Sequence, residues 1–516
     1  MTTRGRPERL DATIGRSCTP LTYRLRLTLA GLLAFVAPLA VYVASLHPGV
    51  DYWDTGELQT VPYILGIPHP TGFPAYIVIG WIWSHALPLG DVAYRMNLLS
   101  AVGMSAAALA LFGLLVEWSV EPFFALGAAL VFACSRVPWD HATHADVHAI
   151  ALAAVAGAFW AAARWTRTGS ARALVACPIA AALALAVHSG MILVLPGIAL
   201  AALGRRPPWR TAGGVIALGV VVVAVSYAYL PLRSSVVTAQ RLDPTVALGV
   251  PVGRPFWDND HPSTLEGFRK EVGGGEFGAG HALQSILQPS VLAELPERYG
   301  RAAIGDLAGG VLVIALFGGW AVMRRNPMAG AGLLAGGFLP VLFVLAYTAE
   351  SDPERYFLPS YWTIGVLLGV GADMLARGGM ARSPRSIVAL IGTLFLFVAG
   401  SNIYANRGAF GPPDYSAQRF IERVRAMTPP NAVLVASWLY ATPLAYGAYV
   451  EHSLDSRIVL TGWPNDYSNA DYRRWLANRP VIVITDDVTL QMAGFVLNEN
   501  DMPGMRPLLF NMQVAP

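Results

Sequence analysis

Runs of about 20 consecutive apolar residues recur along this chain, and no other feature limits its fold so strongly. A bilayer core takes roughly 20 residues of helix at about 1.5 Å per residue, so each such run reads as a membrane span. The runs lie at 25–46, 93–116, 122–135, 146–164, 172–188, 190–204, 211–231, 302–323, 328–347, 356–376 and 386–403, which predicts about 11 spans. The first is longer than a signal-peptide core and is expected to stay as a membrane helix. Composition agrees, with 54% hydrophobic and 13% charged residues and a mean hydropathy of +0.48. A soluble chain carries about a quarter charged residues, so a soluble globular enzyme, a disordered scaffold and a nucleic-acid binder are excluded. The net charge of +3 is small. Cys18, Cys134 and Cys177 are spaced for neither a disulfide framework nor a metal cluster.

Basic residues orient the spans. Short segments rich in arginine occur at 1–24, 164–172, 204–210, 324–325 and 377–385. All can face the cytoplasm only if the further apolar segment 72–88 does not cross. That segment carries Trp81, Trp83 and His85 between Pro74 and Pro88, which suits an interfacial or re-entrant helix. The N-terminal tail (1–24) is then cytoplasmic, the membrane domain runs from 25 to 403, and the connections 47–92 and 232–301 lie outside. The terminal region 404–516 has a different pattern. Short β-branched runs at 432–436, 458–460, 481–485 and 507–510 alternate with helix-like stretches, which predicts a small extracytoplasmic α/β domain.

The outer connection 47–92 opens with Asp51, Asp54 and Glu57 and contains no Lys, and no Arg either. Three carboxylates within seven residues call for a cation, a metal or a mobile proton, and one fixed at the membrane surface can act as a general base toward a hydroxyl. The same Asp54-Thr-Gly-Glu57 also fits a helix cap, with Asp or Thr at the N-cap and Glu in the first turn. The two readings are compatible.

Three stretches, Asp54-Thr-Gly-Glu57, Leu65-Gly-Ile-Pro-His69-Pro-Thr-Gly72-Phe-Pro74-Ala-Tyr76 and Ala93-Tyr-Arg95-Met-Asn97-Leu-Leu-Ser100, together resemble the signature of the domain of unknown function 2723 (DUF2723) membrane family. That family is related to protein O-mannosyltransferases in the GT-C glycosyltransferase superfamily. Trp139, Ala142 and Asp146-Val147, Tyr229-Leu-Pro-Leu-Arg233, and Asp352 with Tyr356-Phe-Leu-Pro359-Ser360 extend the resemblance to about residue 360. Asp146 stands where the family has Glu, and His148 where it has Tyr. The resemblance implies a mostly α, GT-C-like polytopic enzyme that transfers a sugar, with mannose expected, from a polyprenyl-phosphate donor to a hydroxyl outside the plasma (inner) membrane. A first-loop Asp would be the catalytic base, which ranks Asp54 first, Glu57 second and Asp51 third.

Such a transfer also needs positive charge at the departing phosphate. Arg233, Arg355 and Arg95 stand at outer ends of predicted spans and can bind phosphate oxygens, Arg233 within a family motif; His69 joins them as a donor-site residue. Each arginine taken singly also reads as an interfacial anchor. His141, His144, Asp146 and His148 form a cluster in which His144 and His148, four residues apart, can share a face and bind a metal with Asp146 nearby; His144, Asp146, His148 and Asp352 are the weak acceptor or metal candidates. The sequence calls for no particular cofactor, and a divalent cation is compatible with it. Gly273-Gly-Gly275 lacks the accompanying strand and GK[ST] of a phosphate loop and reads as a turn. The expected partners are the lipid-linked donor, membrane lipids and a protein or glycan acceptor. The alternative is a multi-pass transporter or lipid-sugar flippase, which would place ionisable groups at mid-membrane and show two similar halves; neither feature is visible here.

Overall fold

The structure, a computed structural model, describes residues 20–274, 284–285, 288–347, 352–378, 384–487, 490–500 and 507–515. Cys18, most of the basic tail, the centre of the basic 377–385 segment and Gly275 fall outside them. The first helices are α1 (Pro20–Ala44), α2 (Trp53–Ile64), α3 (Pro74–Ala86), α4 (Val92–Glu117), α5 (Pro122–Cys134), α6 (Arg136–Thr143), α7 (Val147–Thr168), α8 (Ala171–Val187), α9 (Leu195–Ala202), α10 (Trp209–Gln240) and α11 (Leu265–Gly273). Among the described residues, seven helices are long and apolar enough to cross a membrane, or nine if each of two bent pairs is one span.

The count expected from sequence differs where helices break. The 122–135 run ends at Cys134 and continues as α6 at a 64° bend; the 302–323 run is split at Ala308, with a 106° bend between Pro289–Leu307 and Gly309–Arg325. The 190–204 run divides into a 3-10 turn, Ser189–Leu193, and the eight-residue α9, too short to cross alone. In the other direction, α10 continues nine residues past the expected span end, to Gln240. Helix α3, at 13 residues, is about 20 Å long, short of a bilayer core as its interfacial reading requires.

Burial orders the bundle. Within the apolar windows of α4 and the Pro353–Arg377 helix, 78% and 89% of residues are buried, against 17% in α1 and α10. The inner helices approach closely where glycines face each other: a Cβ on Gly318 would lie 1.9 Å from the Leu367 carbonyl oxygen, and one on Gly371 2.1 Å from that of Ile314. Small residues at a crossing allow such backbone contact in a membrane, where packing replaces the hydrophobic drive. The outer helices instead turn Leu25, Leu29, Leu32, Val220, Val225 and Leu396 outward.

The C-terminal region folds around one five-stranded sheet, β1 (Val433–Ala436), β2 (Ile458–Thr461), β3 (Val481–Thr485), β4 (Phe495–Asn500) and β5 (Leu508–Val514), in the order β2-β1-β3-β5-β4. Strand β1 is parallel to β2 and β3, with Val433 opposite Ile458 and Val481; β5 runs antiparallel to β3 and β4. Four of these strands fall on the expected runs. Strand β4 does not, because Phe-Val-Leu-Asn-Glu-Asn alternates too weakly to register as a strand.

The sheet is fastened to the membrane domain in two places. The Trp438–Tyr449 helix packs along α2, where Gly56 leaves room for Thr442, and its Tyr446 hydroxyl accepts from the Ala93 N–H at the start of α4 at 3.1 Å. In the connection after α10, the Leu248 carbonyl accepts from Trp475 Nε1 (2.9 Å) and Arg474 Nε (3.2 Å), and Leu248 and Val250 join the core under the sheet.

Candidate active site

Helix α2 begins at Trp53 with Tyr52 as N-cap, and no side chain caps it. The capping alternative for Asp54-Thr-Gly-Glu57 is thereby corrected: Asp54 sits inside the first turn, and Glu57 is one turn further on. Asp54 projects outward and is one-third exposed, whereas Glu57 projects inward and is fully buried. A helix places residues three apart about 60° apart around its axis, and here that difference separates two roles.

Glu57 binds the His69 segment with both oxygens. Oε1 accepts from the His69 backbone N–H at 2.8 Å, and Oε2 forms a short contact with His69 Nδ1. Burial pulls the imidazole pKa down, but the charges of Glu57 and then Asp54 overcome it and raise it to about 9. His69 is therefore an imidazolium at neutral pH, held edge-on to Phe73 and Trp438.

Asp54 is held from the opposite side. Arg355 Nη1 lies 3.3 Å from Oδ2, and the Trp438 indole N–H donates to Oδ1 at 2.9 Å. Burial pushes the carboxyl pKa up, yet His69, Arg355 and the indole outweigh it and hold it below the usual carboxylate range. Asp54 is thus an ionised carboxylate between two cations, drawn from three distant parts of the chain. Asp51 does not join it: its Oδ1 accepts from the Tyr52 N–H, and Oδ2 lies 3.6 Å from His47 Nε2.

Of the three arginines, only Arg355 reaches this carboxylate. Arg233 donates through Nε to the Leu65 carbonyl and through Nη2 to that of Ile64 (3.1 Å), while the Tyr229 hydroxyl donates to the Leu65 and Gly66 carbonyls. The Tyr229-Leu-Pro-Leu-Arg233 motif therefore clamps the C-terminal end of α2. Arg95 donates to the Leu87 and Asp91 carbonyls and closes the turn between α3 and α4.

A second polar cluster adjoins the first through ring contacts: His188 stacks on Phe73 at 5.5 Å and meets His148 at 4.4 Å. Asp146, the N-cap of α7, accepts from the His148 N–H (2.6 Å) and Nδ1 (2.9 Å) through Oδ1, and from His141 Nδ1 through Oδ2. Asp352 stands 4.0 Å from His141 Nε2. His141, His144 and Asp146 offer three ligand atoms within 4.8 Å of one another, while His148, also of the expected cluster, bonds Asp146 Oδ1 through Nδ1. Two imidazoles and a carboxylate fit a divalent transition ion with a position left open.

One buried residue ties both clusters together. Asn97 Oδ1 accepts from Gln59 Nε2 on α2 and from the Ala145 N–H, both at 2.8 Å, and its Nδ2 donates to the His47 carbonyl at 2.9 Å. Ser100 Oγ accepts from the Asp146 N–H at 2.9 Å. Sequence reasoning missed Trp438, Asn97 as a hub and Glu271. Glu271, on α11, is fully buried: Oε2 accepts from Asn259, and Oε1 has no hydrogen-bond partner among the described residues. Burial holds its carboxyl well above the usual range.

A bundle of broken and continuous apolar helices, with a carboxylate of a short non-spanning helix facing a terminal α/β domain, defines a multi-pass membrane protein of the GT-C type of fold. ArnT from Cupriavidus metallidurans has this fold: its crystal structure with undecaprenyl phosphate superposes with a TM-score of 0.54 at 13% identity, covering 96% of this chain and 99% of that one. Its apo structure gives 0.53 at 14% identity, over 93% and 97% of the two chains. In sequence, residues 54–210 match the N-terminal domain of protein O-mannosyl-transferase TMEM260. The mouse protein of that name is 33% identical over 116 residues, and the Dictyostelium discoideum protein 27% over 117, each match covering 22% of this chain. These matches span only 16% and 14% of the two relatives' lengths.

Proposed function

We propose that this protein is a glycosyltransferase that moves a sugar, mannose in the first instance, from a polyprenyl-phosphate donor to a hydroxyl on an extracytoplasmic acceptor. The observation that carries the reading is the ionised Asp54 set between Arg355 and the His69 imidazolium. Asp54 accepts the hydroxyl proton as the oxygen attacks the anomeric carbon, the bond from that carbon to the phosphate oxygen breaks with its electron pair going to the phosphate, and Arg355 and His69 stabilise the departing charge. Attack from the face opposite the phosphate inverts the anomeric centre.

The names of the sequence relatives and the undecaprenyl phosphate bound by ArnT support the chemical class of donor. Arg233 and Arg95 shape the site rather than contact the phosphate, because their donors are already directed to backbone carbonyls. In this reading the chain lies in the plasma membrane with its N-terminus cytoplasmic, and α2, α3 and the terminal domain outside. The test is incubation of the purified protein with a panel of labelled polyprenyl-phosphate sugars, scored for release of polyprenyl phosphate, beside a vesicle assay of lipid-sugar transport. Sugar-dependent release without transport is expected; transport without release would replace the enzyme with a flippase.

A further inference from the structure

The two oxygens of Asp54 are held by different residues, and the two donors differ in kind. The Trp438 indole N–H is a neutral, one-directional donor, 2.9 Å from Oδ1, on a ring fixed by its neighbours. It stacks on Phe256 at 5.7 Å with 5° between the planes and meets His69 edge-on at 6.0 Å. Its backbone is the first turn of the helix that follows β1 and packs on α2. Arg355, in contrast, approaches Oδ2 at 3.3 Å, a long separation for a charge-assisted bond. It comes from a short 3-10 turn, Pro353–Phe357, and its charge is the kind a phosphate competes for.

From this asymmetry we infer that Trp438 is a positioning residue that keeps the Asp54 carboxylate in place through Oδ1, while Oδ2, masked by Arg355 before substrate arrives, becomes the basic oxygen when the guanidinium turns to the donor phosphate. The inference rests on the glycosyltransferase reading and deepens it: the terminal domain completes the catalytic centre, and the donor itself unmasks the base, so donor binds before acceptor. The charged groups concerned are His69 and Arg355 facing Asp54, Asp51 and Glu57 on its own segment, and Asp352 and Glu354 beside Arg355. Trp438 and Phe256 carry no charge. Loss of the indole bond destabilises the ionised carboxylate, so the pH below which activity is lost must rise.

The experiment compares pH profiles of sugar transfer for wild type, Trp438→Phe, Trp438→His and Asp54→Asn in the full-length protein. Trp438→Phe keeps a stacked ring and deletes the N–H. It is expected to lower kcat roughly tenfold with the donor KM little changed, and to move the acid limb of kcat/KM up by about one pH unit. Trp438→His, which keeps a ring N–H, should restore part of both. In wild type, the acid limb of kcat, which reports the substrate complex, should lie above that of kcat/KM for donor, which reports free enzyme. Wild-type profile and kcat in Trp438→Phe would overturn the role of Trp438, as would a change confined to KM or melting temperature. Coincident limbs in wild type would overturn the exchange of Arg355. Should Trp438→Phe not fold, the histidine variant and the wild-type limbs still decide. Full activity of Asp54→Asn would instead refute the base assignment, a failure separate from that of Trp438.

Discussion

Glu57 and His69 carry the clearest physical signature of any single pair in the molecule. The carboxylate is fully buried and its imidazole partner one-fifth exposed, so removing one charge strands the other. Breaking a buried pair typically costs 3–5 kcal/mol, and the partial exposure of His69 favours the lower end, about 3 kcal/mol. Glu57→Gln should therefore lower the melting temperature well beyond a capping change, which costs about 1 kcal/mol; a shift of a degree or less would contradict the pairing. The pH dependence has a definite sign. A folded-state pKa of about 9, raised from 6.5, stabilises the fold fully below about pH 6.5 and loses that contribution as pH rises through 9. Wild-type melting temperature should fall between pH 7 and 10, and Glu57→Gln should lack that part of the fall.

At the scale of elements, α2 is fixed at both ends by side chains from elsewhere. Gln59 and Asn97 hold its start, and Tyr229 and Arg233 hold its end. A cation on the terminal carbonyls of a helix also complements its dipole. Arg233→Lys keeps the charge but loses the planar fork, so it should lower thermal stability by about 1 kcal/mol and leave donor affinity near wild type. Arg355→Lys should do the reverse, weakening donor binding with little thermal effect; a larger donor-affinity loss in Arg233→Lys would exchange the two assignments. The motifs holding these residues were legible in the sequence, because each is a local run of distinctive types. Their division of labour was not: Arg233 and Arg355 are both arginines at span ends, and only the fold turns one toward backbone carbonyls and the other toward Asp54. Trp438 was hidden for the same reason, since 384 residues separate it from its partner and a tryptophan opening an apolar helix reads as core.

For the whole molecule, hydropathy revealed a polytopic helical membrane domain, since apolar length is a local property; the breaks at Ser135 and Ala308 and the docking of the sheet on α2 depend on packing between distant segments. The proposed orientation is checked by cysteine labelling in a Cys18→Ser background, where Cys134 and Cys177 are buried. Leu89→Cys, in the exposed turn before α4, should react with an impermeant reagent from outside, and Arg206→Cys, in the exposed turn before α10, only after permeabilisation. The opposite pattern would invert the protein. The central claim, that this fold brings a base and two cations together for sugar transfer, is tested most directly by Asp54→Asn with saturating polyprenyl-phosphate sugar. The variant should keep donor affinity and lose roughly 10²–10⁴-fold in turnover, the usual contribution of a general base; turnover equal to wild type would contradict the account.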